Sequence, residues 1–421
     1  MPAKPTFYEF FAGGGMARAG LGEGWTCLFA NDVDARKAES YRRNWGGEAL
    51  HVGDVAKVAT AQLPGRADLV WASFPCQDLS LAGAGAGLKG ARSGSFWPFW
   101  SLMKALRAEG RAPTTIVLEN VCGALTSHGG KDFTSICAAL ADEGYRFGAL
   151  VIDAALFLPQ SRPRLFIVAA REDVATLDAL STLPRYCEEA KPTKQSKGGD
   201  EALDCFAGLA KSGIPDFEKM LAMTGRSPFV SRALIAAYNR LPDDLKANWL
   251  WWRLPAPPPR NATLANVIED PPHGVCWHDA AKTQRLIGLM SDVNLAKIEE
   301  AKRAGRKMVG ALYRRTRYEN SEKVQRAEAR FDDVAGCLRT PAGGSSRQFV
   351  LVVEKGEVRS RLISARETAR LMGLPDDYIL PERYNEAYHL TGDGVVVPAV
   401  RHIAAHLIEP LLKACVMREA A

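Results

Sequence analysis

Between residues 6 and 171, short apolar runs of β character alternate with helical patterns, and no other feature constrains the fold as much. TFYEFFAG, WTCLFAND, EALHVGDV, ADLVWASF, TTIVLENV and RLFIVAA are apolar and partly β-branched, and stretches such as DARKAESYRRNW and SGSFWPFWSLMKALRAEG separate them. Strands that alternate with helices build βαβ units, whose crossovers cover both faces of a parallel sheet. The expected class is therefore α/β, with this sheet as the first domain. A chain of 421 residues is too long for one compact core and suits two domains. From about 173 to 358 the texture turns irregular, with charged stretches (KPTKQSKGGDEALD), a tryptophan cluster (NWLWWRLPAPPPRN) and a basic run (KRAGRKMVGALYRRTR). From 361 the helical pattern returns in ARETARLMGLPDDY, and PAVRHIAAHLIEPLLKACV predicts an amphipathic helix at the end.

The net charge of +6 permits a nucleic-acid partner without demanding one. Nine scattered cysteines, with no CxxC pair, argue against a disulfide scaffold and for a reducing compartment. The stretch MPAKPTFYEFFAGGG lacks the apolar run and cleavage site of a signal peptide, and no segment approaches the length of a membrane span. A cytoplasmic location, without membrane attachment, is expected.

FYEFFAGGGMARAGLG reads as a strand, a glycine turn and the start of a helix, which lets the backbone approach a nucleotide-like ligand. Asp32 ends the next strand, where a carboxylate can accept bonds from ribose hydroxyls, and Asp54 ends the third. Either carboxylate alone is more ordinarily a helix N-cap. Three such strand ends in succession favour a ligand crevice, and the spacing is not the GxGxxG of nicotinamide binding. Cys76 ends the fourth strand behind Pro75, Glu119 and Asn120 end the fifth, and QSRPRLF (160–166) opens a later one, all on one carboxyl edge. A nucleophilic cysteine needs a partly exposed, electropositive setting. A half-buried Glu119 can keep a proton to donate, and Arg162 and Arg164 can stabilise negative charge or bond a carbonyl oxygen. Singly these are an inert thiol, a capping turn and a solvated loop. Jointly they make a cysteine-nucleophile site beside a ligand crevice.

FAGGGM, FPCQDLS, ENV, QSRPR, RETARLMGLPDDY and GDGVVVPAV, in this order, resemble the DNA cytosine-5 methyltransferase family of bacterial or phage type. The likeness covers most of the chain outside the middle region. It implies a Rossmann-like S-adenosylmethionine-dependent methyltransferase sheet (1–172) and a second, smaller irregular target-recognition domain (173–389). A C-terminal segment (390–421) returns to the catalytic domain, because GDGVVVPAV must reach the cofactor pocket. The resemblance implies S-adenosylmethionine as cofactor and a methyl transfer to C5 of a flipped cytosine in a specific duplex sequence, through a covalent adduct of Cys76 with C6. By the same likeness Glu119 holds the base at N3 and N4, Arg164 contacts it near O2, and Gln160 and Arg162 support the site. Ser80 and Asn120 fall with the substrate-binding residues. Phe11, Gly13 and Gly15 shape the cofactor pocket, Asp32 meets the ribose, Asp54 the adenine, and Gly392 and Val395 complete the pocket. Two positions depart from the family pattern: Met16 replaces the last glycine of FAGxGG, and Asp393 replaces the asparagine after Gly392. The implied mechanism also gives a use to the glycines at 83, 85, 87, 90 and 94, in a segment (80–95) that closes over the flipped base.

In that context Lys302, Arg303, Arg306, Lys307, Arg314, Arg315 and Arg317, with Tyr313 and Tyr318, suit contacts to phosphates and base edges. Outside it, such a run is ordinarily a solvated helix face. TPAGGSSRQ (340–348) predicts a glycine-rich loop that approaches a groove, with Ser345, Ser346, Arg347 and Gln348 as contacts. Trp249, Trp251 and Trp252 read as core of the second domain. His273, Cys276 and His278 lack a fourth ligand, so no metal is expected, and His402 and His406 read as packing or surface residues. The expected partner is double-stranded DNA, with room for a cognate restriction endonuclease acting separately, and a monomer is the simplest state. A tRNA cytosine methyltransferase of the same fold and a DNA-binding regulator without catalysis are the alternatives. The long basic middle region favours DNA over tRNA, and Cys76, Glu119 and Arg164 together favour catalysis.

Overall fold

The computed structural model describes residues 4–75, 95–174, 180–182, 227–319, 322–340 and 347–419. The first half holds β1 (Thr6–Phe10), α1 (Met16–Leu21), β2 (Thr26–Asp32), α2 (Ala35–Trp45), β3 (Leu50–Val52), β4 (Leu69–Ala72), α3 (Phe96–Ala108), β5 (Thr115–Val121), α4 (Lys131–Asp142), β6 (Tyr145–Asp153) and β7 (Pro163–Arg171). These strands form one seven-stranded sheet of order β3-β2-β1-β4-β5-β7-β6. Helices cover both faces, so the strands read as unbroken apolar runs; every residue of β4 is buried.

The sheet differs from the sequence expectation in two ways. YRFGALVID, which the sequence pattern leaves unassigned, is β6. The sheet is also mixed: β3, β2, β1, β4 and β5 run parallel, whereas β7 is antiparallel to both β5 and β6. This reversal brings the site together. In an all-parallel sheet a residue that opens a strand lies at the amino edge; here Arg164, near the start of β7, pairs with Val121 at the end of β5.

The chain continues through β8 (Ser181–Thr182), α5 (Arg232–Arg240), β9 (Trp251–Trp252), α6 (Ala280–Ile287), α7 (Asp292–Arg303), β10 (Met308–Glu319), β11 (Glu322–Arg330), β12 (Phe349–Glu354) and β13 (Glu357–Leu362). It then forms α8 (Ala365–Leu371), α9 (Tyr384–Asp393) and α10 (Val397–Ile403), which runs through a π turn into α11 (Glu409–Glu419). Strands β11-β10-β12-β13 make a second, antiparallel sheet. Leu286, Met290, Ile298, Leu312, Phe349 and Leu351 give it a core of its own. The basic run is therefore not one helix face. It leaves α7 and enters β10, where Tyr313, Arg315 and Arg317 share one face of the ribbon and Leu312 and Arg314 the other.

The cores divide elsewhere than at 173 and 389. The three tryptophans are buried, but against the first sheet rather than in a core of the second domain. Trp249 meets Phe133 and Phe147 ring to ring, and Trp252 Nε1 donates to the Val168 carbonyl at 3.1 Å. Phe229, Leu250, Leu254 and Leu264 join the same core, as does the chain from Ile363 onward. The separate core spans Leu286 to Leu351. Contrary to expectation, residues 384–415 are long and apolar enough to cross a membrane. Tyr388, Val400, Ile403, Leu407 and Leu411 in this stretch are buried in the core of the first sheet, which accounts for its apolar character. His402 packs there against Phe157, Phe229 and His406, with Nε2 at 2.7 Å from the Pro255 carbonyl.

Candidate active site

The glycine turn after β1 holds Phe11, Gly13 and Gly15 in the left-handed region, with φ of 57°, 56° and 77°. Three side chains fix it. Asp32 Oδ2 accepts from Gly13 N at 2.7 Å, and the Gly14 carbonyl accepts from Trp45 Nε1 (2.9 Å) and Tyr378 Oη (2.7 Å). Asp32 Oδ1 accepts from Asp34 N at 2.8 Å. Burial pushes the Asp32 pKa up, against the opposing pull of Lys37 and the two backbone N–H groups. Each of its oxygens retains a further lone pair for a ligand. Asp54, by contrast, is exposed and caps the turn at Val55–Lys57, accepting from Ala56 N at 3.0 Å. Oδ1 thus serves as a cap for this turn.

The C-terminal motif closes on this turn. Arg162 is buried and donates from Nη1 to the Leu338 carbonyl (2.7 Å) and from Nη2 to the carbonyls of Gly392 and Gly394 (2.8 Å each). Gln160, also buried, donates to the Leu371 carbonyl at 2.6 Å and accepts from Leu338 N at 3.1 Å. Both residues are struts that tie the start of β7 to the last third of the chain. The two departures from the family pattern meet at the same turn. Met16 sulfur lies where a Cβ on Gly394 would fall, while Asp393 pairs with Lys37 Nζ at 2.7 Å and accepts from the Thr340 hydroxyl. Val395 is buried in the core beside them.

At the ends of β4 and β5, Glu119 is 6% exposed. Its Oε1 lies 3.3 Å from Arg164 Nε. Burial raises the Glu119 pKa, and Arg164, Arg162 and the hydrogen bond from the Ser73 hydroxyl work against the shift. Asn120 Nδ2 donates to the Phe74 carbonyl at 3.2 Å while its Oδ1 accepts from Val121 N. Its amide thus fastens the strand end that leads to Cys76. Cys76 itself, Ser80, Ser345, Ser346 and the glycines at 83, 85, 87, 90 and 94 lie outside the described residues.

On the second sheet, Arg315 and Arg317 flank Glu328 at 3.7 and 2.5 Å, and Tyr313 Oη donates to the same carboxylate. Arg314, on the opposite face, lies over the Phe349 ring at 5.7 Å. Arg347 lies over Tyr384 and donates to Asn385. Gln348 does not stand out as a contact: it is buried, donates from Nε2 to the Gly336 carbonyl at 2.6 Å, and its backbone N donates to Tyr388 Oη. His278 engages Ser360, and no group of three or more metal-ligating side chains occurs among the described residues. The sequence gives no signal for Lys37, Ser73 or Cys337, which belong to no motif and reach the site only through the fold. Tyr378 closes the RETARLMGLPDDY motif, but the motif alone does not show that its hydroxyl reaches the glycine turn.

The geometry places a glycine-turn crevice beside a buried glutamate and an arginine at one sheet edge. A family model described as C-5 cytosine-specific DNA methylase matches residues 5–409. The chain belongs to this family. It is 23% identical to the Type II methyltransferase M.NlaIV of Neisseria lactamica over 91% of this chain and 92% of that protein. Identity to M.MspI of Moraxella sp is 24%, over 95% and 70% respectively. With M.BsuFI of Bacillus subtilis identity rises to 34%, but the match spans only 42% of this chain and 41% of that protein. Among solved structures, the S. pombe Dnmt2 methyltransferase superposes with a TM-score of 0.51 at 14% identity, covering 97% of this chain and 99% of that one. The Entamoeba histolytica methyltransferase EhMeth gives 0.53 at 13%, with the same coverage. Both share the fold. As a DNA (cytosine-5) methyltransferase the chain uses S-adenosylmethionine. The crevice fits that cofactor: nothing lies within 4 Å of a Cβ on Gly13, and apolar Val33 stands 71% exposed next to buried Asp32.

Proposed function

We propose that this methyltransferase modifies cytosine within one short duplex sequence, with Cys76 as nucleophile and Glu119 as proton donor. The observation that carries the reading is the setting of Glu119: buried, bonded by Ser73, beside Arg164, and next to the asparagine that fastens the approach to Cys76. Cytosine C5 is a poor nucleophile, and S-adenosylmethionine supplies an electrophilic methyl group to it. Addition of the Cys76 thiolate at C6, with a proton from Glu119 at N3, makes C5 electron-rich. After methyl transfer the C5 proton passes to water, the C6–S bond breaks to return the Cys76 thiolate, and Glu119 recovers its proton from N3. Burial favours the protonated carboxyl group that this step needs. Arg164 would meet the base near O2, and Gln160 and Arg162 keep that edge in place. The ring faces are covered in a stacked duplex, so the base must leave the helix. On the cofactor side we assign Phe11, Gly13, Gly15 and Asp32, closed by Gly392 and Val395.

The unit around Leu286 to Leu351 is the reader of the target sequence in this proposal, with Arg315 and Arg317 of the β10 face toward DNA. The relatives named Type II methyltransferases support a place in a restriction–modification system, with a separate endonuclease, and a monomer in the cytoplasm suffices for the chemistry. A base-resolution cytosine-methylation map of a methylation-free bacterial host expressing the chain tests the reading. Methylated C5 positions confined to one short sequence are expected. An unmodified genome with soluble protein, and methylation of transcribed tRNA instead, would reverse the substrate. Cys76→Ser should abolish methylation while leaving cofactor binding and specific DNA binding largely intact, and an active variant would sink the mechanism.

A further inference from the structure

Residues 335–338 follow β11 and lie against the start of β7. Ser161 N donates to the Ala335 carbonyl at 2.9 Å and Ala335 N to the Pro159 carbonyl at 2.8 Å, so this segment is pinned at its backbone. Its one sulfur then falls between two guanidinium groups. Arg162 Nη1 lies 3.5 Å and Arg164 Nη2 3.9 Å from Cys337 Sγ. We propose that Cys337 is a positioning residue for methyl transfer, holding the Arg164 guanidinium so that it meets Glu119 through its Nε edge. The inference rests on the reading of Glu119 as the proton donor.

Among the described residues, Arg164 Nε faces Glu119 Oε1 (3.3 Å), Nη1 the Pro163 carbonyl (2.9 Å) and Nη2 the sulfur. An arginine free to turn prefers both oxygens of a neighbouring carboxylate. Such a fork on Glu119 would hold it as the anion and remove the acid. The sulfur supplies a competing acceptor. Burial disfavours a charged sulfur, but Arg162, Arg164 and Arg339 outweigh it and hold the thiol below its ordinary range. Tyr388 is a further titratable group that faces it.

Cys337→Ala should lower kcat about tenfold to a hundredfold while leaving KM for DNA and for cofactor nearly unchanged. The sign of the pH effect follows. With the sulfur gone, Arg164 stabilises the Glu119 anion more strongly and lowers its pKa. Activity that needs the protonated acid is then lost earlier as pH rises, so the basic limb of kcat moves to lower pH. Cys337→Ser keeps a neutral acceptor and should recover most of the kcat. The experiment measures methyl transfer across pH for the three chains on one cognate duplex, with cofactor affinity, Tm and adduct formation on 5-fluorocytosine DNA. A kcat and basic limb in Cys337→Ala equal to wild type overturns the proposal. So does a fall in kcat that is matched by lost cofactor affinity and lower Tm, since that marks a packing residue. A wild-type chain that neither methylates nor forms the adduct overturns the proposed function, and this inference with it.

Discussion

Glu9 sits in β1 beneath the glycine turn, 1% exposed, with Oε1 accepting from Arg18 N at 3.4 Å and Oε2 without a hydrogen-bond partner among the described residues. Burial drives its pKa up to about 8, despite the N–H groups of Arg18 and Ala17 and the Arg18 charge, with Asp32 adding to the rise. Folding therefore favours the protonated carboxyl. The stability this confers is complete below the ordinary carboxylate range near 4.5 and is lost as pH rises through about 8. Glu9→Gln removes the titration, so its melting temperature should fall less than wild type's between about pH 5 and 8.5. Parallel melting curves for the two chains would show that Glu9 does not titrate in this range. At the same scale, the residues proposed to react were legible because chemistry restricts them: a carboxyl at a strand end and an arginine opposite it have few substitutes. The bracing contacts of Asn120 and Gln348 were not legible, because an amide that braces the interior is spelled like one that contacts a ligand. Cys337 carries no local sign of its setting, since the two arginines beside its sulfur lie at and just before the start of β7, far away in the chain.

Helix packing decides how the cofactor side is closed. α1 crosses α10 at Gly20, where a Cβ would lie 2.4 Å from Val400 Cβ and 2.7 Å from the Val397 carbonyl. α10 begins just after Gly392–Val395, so anything that pushes it outward moves the motif that Arg162 holds. Gly20→Ala should cost about 1–3 kcal/mol through overpacking. Calorimetry should also find weaker S-adenosylmethionine binding; a variant with wild-type Tm and affinity would separate the crossing from the pocket. Elements were legible where periodicity and punctuation agree, as in β1 to β5 and α2. The direction of β7 was not, because an apolar run looks the same in either direction and only pairing with β5 and β6 sets it. The strand in the basic run was hidden because arginines on an exposed ribbon mimic a solvated helix face.

Across the whole molecule, the two sheets meet at a buried ion pair. Arg361 belongs to β13 of the small sheet and Glu367 to α8 in the core of the large one, and both side chains are 0% exposed. Nη2 lies 2.6 Å from Oε1 and Nη1 2.7 Å from Oε2. The arginine also donates to the Glu269 carbonyl, the carboxylate accepts from the backbone N of Glu269 and Ser364, and Trp277 covers the guanidinium at 5.0 Å. A pair so enclosed contributes little net stability compared with an apolar contact, yet losing one member strands a buried charge. The expected role of its directional bonds is to fix the angle between the sheets, and with it the distance from the arginine-bearing ribbon to Glu119. Arg361→Met should therefore destabilise the chain by about 3–5 kcal/mol. Adding Glu367→Leu should restore much of that loss, because no unpaired charge remains in the interior. Specific DNA binding should not return with it, since two apolar side chains hold no fixed angle, while S-adenosylmethionine binding, which depends on the large sheet, should persist. Denaturant melts with cofactor and cognate-duplex titrations on the single and double variants separate these effects. If the double variant binds its duplex as wild type does, the angle between the sheets is set elsewhere than at this pair.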